Sequence, residues 1–329
     1  MIHRNVANIV AVFLVPLANV CAGQQAKTAI ADAELLEAAQ SGDFRRVQTT
    51  LRTDVSAEAK QRALFLSEMS APLLIEISPE ESAHSHDLQT KTGENALGEG
   101  VIDYAKTVGA LLNAGVQVEA RDENGQTPLI VAASHGRTEI VKLLLEMGAN
   151  VDAEGMEGGT ALIAAACSCA IVDMPYTLDA IALLVEKKAN VNARTKDGST
   201  ALMSAAGWGR SDIAELLLNH EAQIDAANDE GYTALLIAAS GSALPTADVV
   251  KLLLARGANV EARTSEGDTS LLRTASQGGY EGKQILELLL AKGANPHVTD
   301  KRGDTPLALA IKSGFADFIP LLQGAMNAR

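Results

Sequence analysis

The sequence predicts an all-α solenoid of about seven to eight helix-turn-helix units linked by β-hairpin finger loops. An eleven-residue interval separates a Gly-Ala-type turn from a threonine in six places: Val116/Thr127, Ala149/Thr160, Ala189/Thr200, Ala222/Thr233, Ala258/Thr269 and Ala294/Thr305. Successive threonines, by contrast, lie 33, 40, 33, 36 and 36 residues apart, so one part of each unit is fixed and another accepts insertions. The composition, 47% hydrophobic but only 3% aromatic, suits small helices packed in layers better than a bulky sheet core.

Taken in chain order, residues 1–22 read as a secretory signal. His3 and Arg4 form a basic start, Ile9–Val15 an apolar run, and Val20 and Ala22 fit the −3 and −1 positions of cleavage after Ala22. The run is short for a membrane span, leaving an uncleaved anchor as the alternative. A lipidated Cys21 is disfavoured because Val20 precedes it. Residues 23–30 are expected to be an N-terminal linker and 31–329 one repeat domain with an insertion at 71–100. The mature chain is expected to be periplasmic or secreted, with no stable membrane insertion after signal cleavage. Its two cysteines, Cys167 and Cys169, are too few for a disulfide framework.

Residues 122–153 show how one unit is written. Thr127 is a natural N-cap, and Pro128 occupies the first helical position, where its missing N–H costs nothing. Leu129, Ala132 and Ala133 form a narrow apolar stripe, and Gly136 ends that helix. Ile140, Val141, Leu144 and Leu145 then recur at helical spacing before Gly148. The Asn/Asp/Gly-rich stretch that follows reads as a turn or β-hairpin finger. Neither helix buries its apolar face alone, so adjacent copies must complete the core.

Gly-x-Thr-Pro/Ala/Ser-Leu recurs at 125–129, 198–202, 231–235, 267–271 and 303–307, with a Gly158-Gly159 variant at 157–162. Val-x-Leu-Leu-Leu-x-x-Gly-Ala-Asn-Val occurs at 141–151 and 250–260. These motifs resemble the ankyrin repeat, over about residues 31–329. Ala33–Leu51 looks like a capping repeat, and Ala57–Ser70 like a first helix whose partner is Val101–Ala114. Residues 71–100 are then an insertion; a degenerate repeat beginning at Gly93 is the alternative. Further additions fall near Val172–Leu178, Ala243–Thr246 and Gly279–Gly282, always between the two helices of a unit and therefore opposite the fingers.

The formal net charge of −14 argues against nucleic acid and anionic membranes as partners. Residues 71–100 carry six carboxylates and one lysine, which either steer a basic protein or simply keep the loop solvated. His84 and His86 lack the further Cys or His ligands of a metal site. No nucleophile elbow, phosphate loop or His-Glu-x-x-His motif is present, so neither an enzyme nor a cofactor is expected.

The resemblance implies protein binding through finger tips and first-helix ends on the concave face. Matching positions are Glu123, Gln126, His135, Met156, Lys196, Trp208, Glu230, Tyr232, Asp268 and Arg302. Trp208 and Tyr232 stand out as aromatic anchors, although Trp208 folded down over helix ends is the structural alternative. The expected role is an exported module binding a periplasmic protein. Similar exported bacterial ankyrin proteins are associated with oxidative-stress functions, which would make this one an accessory factor. The alternatives are an immunity protein neutralising a toxic effector and a metal- or small-molecule-responsive protein.

Overall fold

The computed structural model describes residues 21–70, 104–167, 176–240 and 244–327. They fall into two compact units, divided between Gln117 and Val118.

Unit 1 contains α1 (Cys21–Ser41), α2 (Phe44–Thr50), α3 (Ala57–Ser70) and α4 (Tyr104–Asn113). α1 packs on α3 and α2 packs on α4, so two helix pairs stack side by side. Leu35, Ala38, Val47, Leu64, Val108 and Leu111 are fully buried between them. The expected linker at 23–30 is helical: α1 runs unbroken from Cys21, through Ala-, Gln- and Lys-containing sequence that favours helix and contains no proline. The proposed cleavage point after Ala22 therefore falls in its first turn. The 71–100 insertion, with His84 and His86, lies outside the described residues.

Unit 2 alternates first and second helices: α5 (Pro128–Ser134), α6 (Thr138–Glu146), α7 (Ala161–Cys167), α8 (Tyr176–Glu186), α9 (Ala201–Gly207) and α10 (Ser211–Asn219). It continues with α11 (Ala234–Ala238), α12 (Ala247–Ala255), α13 (Ser270–Gln277), α14 (Gly282–Ala291), α15 (Pro306–Ser313) and α16 (Ile319–Asn327). α5, α7, α9, α11, α13 and α15 form one layer, and α6, α8, α10, α12 and α14 the other. Close approach within the first layer depends on alanine: Ala132, Ala133, Ala165, Ala166, Ala205, Ala206, Ala238 and Ala239 are all fully buried. Each of the six threonines caps its helix as expected, accepting from the N–H three residues on at 3.2–3.5 Å. Pro320 is accommodated because α16 begins at Ile319, which puts the proline in the first turn.

The fingers take the turn form of the two readings. Among the described residues there is no β-strand. Each finger is a tight turn closed by two backbone bonds, as from Asp122 N–H to Gln126 O and Gly125 N–H to Asp122 O, both at 3.0 Å, and from Asn228 N–H to Tyr232 O at 3.0 Å and Gly231 N–H to Asn228 O at 2.9 Å. The turn glycine two residues before each threonine holds φ between 69° and 86°, which explains the Gly-x-Thr motif. Four-residue turns leave no length for the alternating pairs of an antiparallel ladder.

Candidate protein-binding surface

Successive fingers of unit 2 are locked to one another by their own side chains. Glu119, Asp152, Asn192, Asp225 and Glu261 accept from the backbone N–H of Asn150, Asn190, Gln223, Asn259 and Asn295, all at 2.7–2.8 Å. Toward the tips, backbone N–H groups of Lys196, Asp229 and Ser265 donate to the carbonyls of Glu157, Asp197 and Glu230 at 2.9, 2.9 and 2.7 Å. Arg121 adds a side-chain staple, reaching its own finger at Gly125 O and the next at Glu154 O, at 2.6 and 2.8 Å. The finger row is thus a preorganised scaffold whose tip side chains are released to point outward.

The ten expected contact residues divide into four groups on this scaffold. Glu123, Met156, Lys196, Glu230 and Arg302 are exposed at finger tips. Gln126 and His135 are half-buried, the Gln126 Oε1 without a hydrogen-bond partner among the described residues. The Gln126 amide lies over Gly155, where an added Cβ would stand 2.8 Å from its Oε1. His135 Nδ1 sits 2.9 Å from Val131 O, fixing the proton on that nitrogen and turning the ring back onto its own helix. Trp208 is half-buried at the end of α9, and among the described residues no hydrogen bond or ring contact joins it to Tyr232.

Tyr232 and Asp268 are brought together by a residue absent from the sequence-based set. Arg273, on α13, places its guanidinium 4.9 Å from the Tyr232 ring centroid. Its Nη1 reaches Asp268 Oδ2 at 3.4 Å and its Nε donates to Ser240 Oγ at 2.6 Å. With the Gln277 amide oriented to satisfy both ends, Gln277 accepts from Arg273 Nη2 at 3.1 Å and donates to Ser240 O at 2.6 Å. The cation is thereby held over an aromatic face, with its side chain only 15% exposed. A signal for it was present: the fourth residue after each cap threonine is Val131, Ala164, Ser204, Ile237, Arg273 and Leu309, and only one is charged.

Two carboxylates titrate low. Hydrogen bonds from the Thr195 and Ser199 hydroxyls hold Asp197 below the ordinary carboxylate value. For Asp212 burial pushes upward, but the Arg210 side chain, bonded at 2.9 and 2.7 Å, and the backbone N–H groups of Ile213 and Asp212 together outweigh it, and the net direction is down. Cys167 is exposed and unbridged, its Sγ 3.0 Å from Ser204 Oγ, while Cys169 lies outside the described residues. Among the described residues no group of three His, Cys, Asp or Glu side chains is placed to hold a metal, and no helix is long and apolar enough to cross a membrane.

A model of ankyrin repeats in three copies matches residues 35–154, 99–174 and 170–264, well over half of the chain. The chain belongs to the ankyrin-repeat family. An ankyrin repeat domain from Acinetobacter baumannii AYE, solved as a crystal structure, is 32% identical over 60% of this chain and 97% of its own, with a TM-score of 0.53. No curated protein matches. Ankyrin repeats are protein–protein interaction modules, and the locked finger row of this ankyrin chain has the rigidity such a role needs.

Proposed function

We propose that this ankyrin chain is an exported, non-enzymatic module that holds a periplasmic protein on the finger and first-helix face of unit 2. The observation that carries the reading is the Tyr232–Arg273 stack, which presents an aromatic ring in one orientation beside a row of fixed finger tips. A partner meeting that surface finds its anchor already ordered, so little conformational entropy is lost on docking. Trp208, half-buried at the neighbouring helix end, supplies a second aromatic surface of the kind enriched at binding hot spots. Export is supported by the basic start, apolar run and small-residue cleavage pattern of residues 1–22. An accessory role in stress protection rests on resemblance to exported bacterial ankyrin proteins.

The test is capture from the periplasmic fraction with the purified chain, followed by titration of the protein recovered. Trp208→Ala should weaken binding by about tenfold or more while melting hardly changes. Tyr232→Phe, which keeps the ring under Arg273, separates the phenol hydroxyl from the stack. Full affinity in Trp208→Ala combined with Tyr232→Ala would remove this face from the interaction. Fractionation of cells expressing the intact chain checks export independently.

A further inference from the structure

The first-helix layer of unit 2 runs to α15, and there the pattern that buries the earlier helices is reversed. Counting from the cap threonine, the sixth residue is Ala133, Ala166, Ala206, Ala239 and Ala275 in five repeats, each fully buried. In α15 it is Ile311, 57% exposed. The third residue is Ile130, Ile163, Met203, Leu236 and Leu272, all buried, whereas α15 carries the half-buried Ala308. The sixth column lies at the seam with the following repeat, where Thr274 Oγ1 donates to Ala239 O at 3.1 Å. The third column shares that seam, because it too loses its cover only in α15. Among the described residues no first helix follows α15, so its seam is open. Ile319 of α16 widens the apolar face. The residue five after the glycine behind the first helix is fully buried at Val141 and Ala214, and Ile319 at that place is half-buried.

The exchange of large and small decides what can cover this end. An ordinary following repeat needs alanine at the sixth position for its first helix to approach, and Ile311 fills that space. The face is instead complementary to itself. Ile311 and Ala308 stand one helical turn apart on one side of α15, a knob beside a recess. Two copies of α15 laid antiparallel about a two-fold axis set each isoleucine over the alanine of the other copy. Such a contact continues the inter-repeat interface, which everywhere packs large side chains against small ones. Lys312 at the border has its counter-ion within the chain, its Nζ 2.6 Å from both carboxylate oxygens of Asp304. Solenoid ends that face water are ordinarily polar, and an apolar end calls for a cover. We propose that the chain forms a two-fold dimer through this end face, a second copy of α15 taking the place of a following repeat.

Sedimentation velocity of the full chain across a wide concentration range should show a monomer–dimer equilibrium with no larger species. Ile311→Asp should raise the dimer dissociation constant about a hundredfold or more, because the two-fold axis removes two anchors at once. Its helical content should match wild type, since the side chain projects from the single chain. Ala308→Ile fills the recess while adding apolar area, and should weaken the dimer about tenfold or more. Ala308→Ile combined with Ile311→Ala exchanges knob and recess, and should recover the association that each change alone loses. A monomer at every concentration, or a dimer indifferent to Ile311→Asp, overturns the proposal. Tighter association in Ala308→Ile would mean unspecific apolar contact, and growth beyond the dimer that Ile311→Asp abolishes would mean head-to-tail stacking; either overturns the two-fold packing. A monomer that needs Ile311 to hold a different protein, or that dimerises only once residues 76–96 are removed, overturns the assignment to a second copy.

Discussion

The guanidinium of Arg273 lies 4.9 Å from the centroid of the Tyr232 ring, so the first helix of one repeat clamps the finger that opens the repeat before it. The pair is local in space and distant in sequence, and it changes what Tyr232 is. A free tyrosine on a finger would have to be ordered by its partner, whereas this one is ordered by its own fold.

That clamp has a measurable coupling. Arg273→Met keeps the stem but removes the stack and the bonds to Asp268, Ser240 and Gln277, and should cost about 1–3 kcal/mol in urea unfolding. A double-mutant cycle with Tyr232→Leu should return a coupling of about 0.5–2 kcal/mol, the range of a partly desolvated cation–π contact. Strict additivity would show that the two residues are merely adjacent.

The threonine caps predict a second effect. α9 has seven residues, too few to be stable as an isolated helix, so its first turn relies on the Thr200 hydroxyl. Thr200 Oγ1 accepts from Met203 N–H at 3.3 Å and is nearly fully buried, so water cannot replace it. Thr200→Ala should destabilise by about 1–2 kcal/mol, and Thr200→Ser should recover part of that loss, as read from thermal or urea midpoints.

The acid response of Asp212 follows from its pairing with Arg210. Its folded value lies below the ordinary 3.8, so the unfolded chain takes up the proton first as pH falls. The contribution to stability is therefore complete above 3.8 and disappears as pH drops through the lowered folded value. Urea midpoints of wild type and Asp212→Asn should differ near neutrality and converge in acid. A gap that stays constant down to about pH 2 would mean that the mutation acts through something other than charge.

Much of the fold was legible because its signals are local. A threonine that caps, a glycine that turns and an alanine that lets helices approach each act within a few residues, so their periodicity survives in the sequence. Helix α1 was missed across 23–30 because nothing there shows a 3.6-residue apolar repeat; composition alone favours helix. The fingers close as short turns satisfied by Asp122, Asn228 and Asp300, whose carboxylate or amide oxygens accept the N–H two and four residues on, a choice between turn and hairpin that the sequence left open. Of the candidate surface, the exposed tips were readable from family position. The inward turn of His135 and the capture of Tyr232 were not, because each depends on what a side chain finds nearby. Arg273 was visible only as a charged exception in an apolar column.

Gly278 supplies the last prediction. It has φ of +67°, and a Cβ placed on it would stand 2.5 Å from Phe315 Cζ. Phe315 stacks on Phe318 at 5.1 Å, and Phe318 in turn lies over Gly282, where an added Cβ would be 3.0 Å from its ring. Gly278, just before the Gly279–Gly282 insertion, and Gly282, its last residue, therefore make room for the aromatic pair that seats the last repeat. Gly278→Ala combines a left-handed backbone, about 1–2 kcal/mol for an L-residue, with overpacking of about 1–3 kcal/mol against a rigid ring. The expected sum, about 2–5 kcal/mol, should be spent locally. Amide exchange in α15 and α16 should accelerate while α9 and α11 keep their protection. Phe315→Ala in the Gly278→Ala background should then cost less than Phe315→Ala alone, because the clash has already displaced the ring. Equal costs in the two backgrounds would locate the strain in the backbone and not in the aromatic contact.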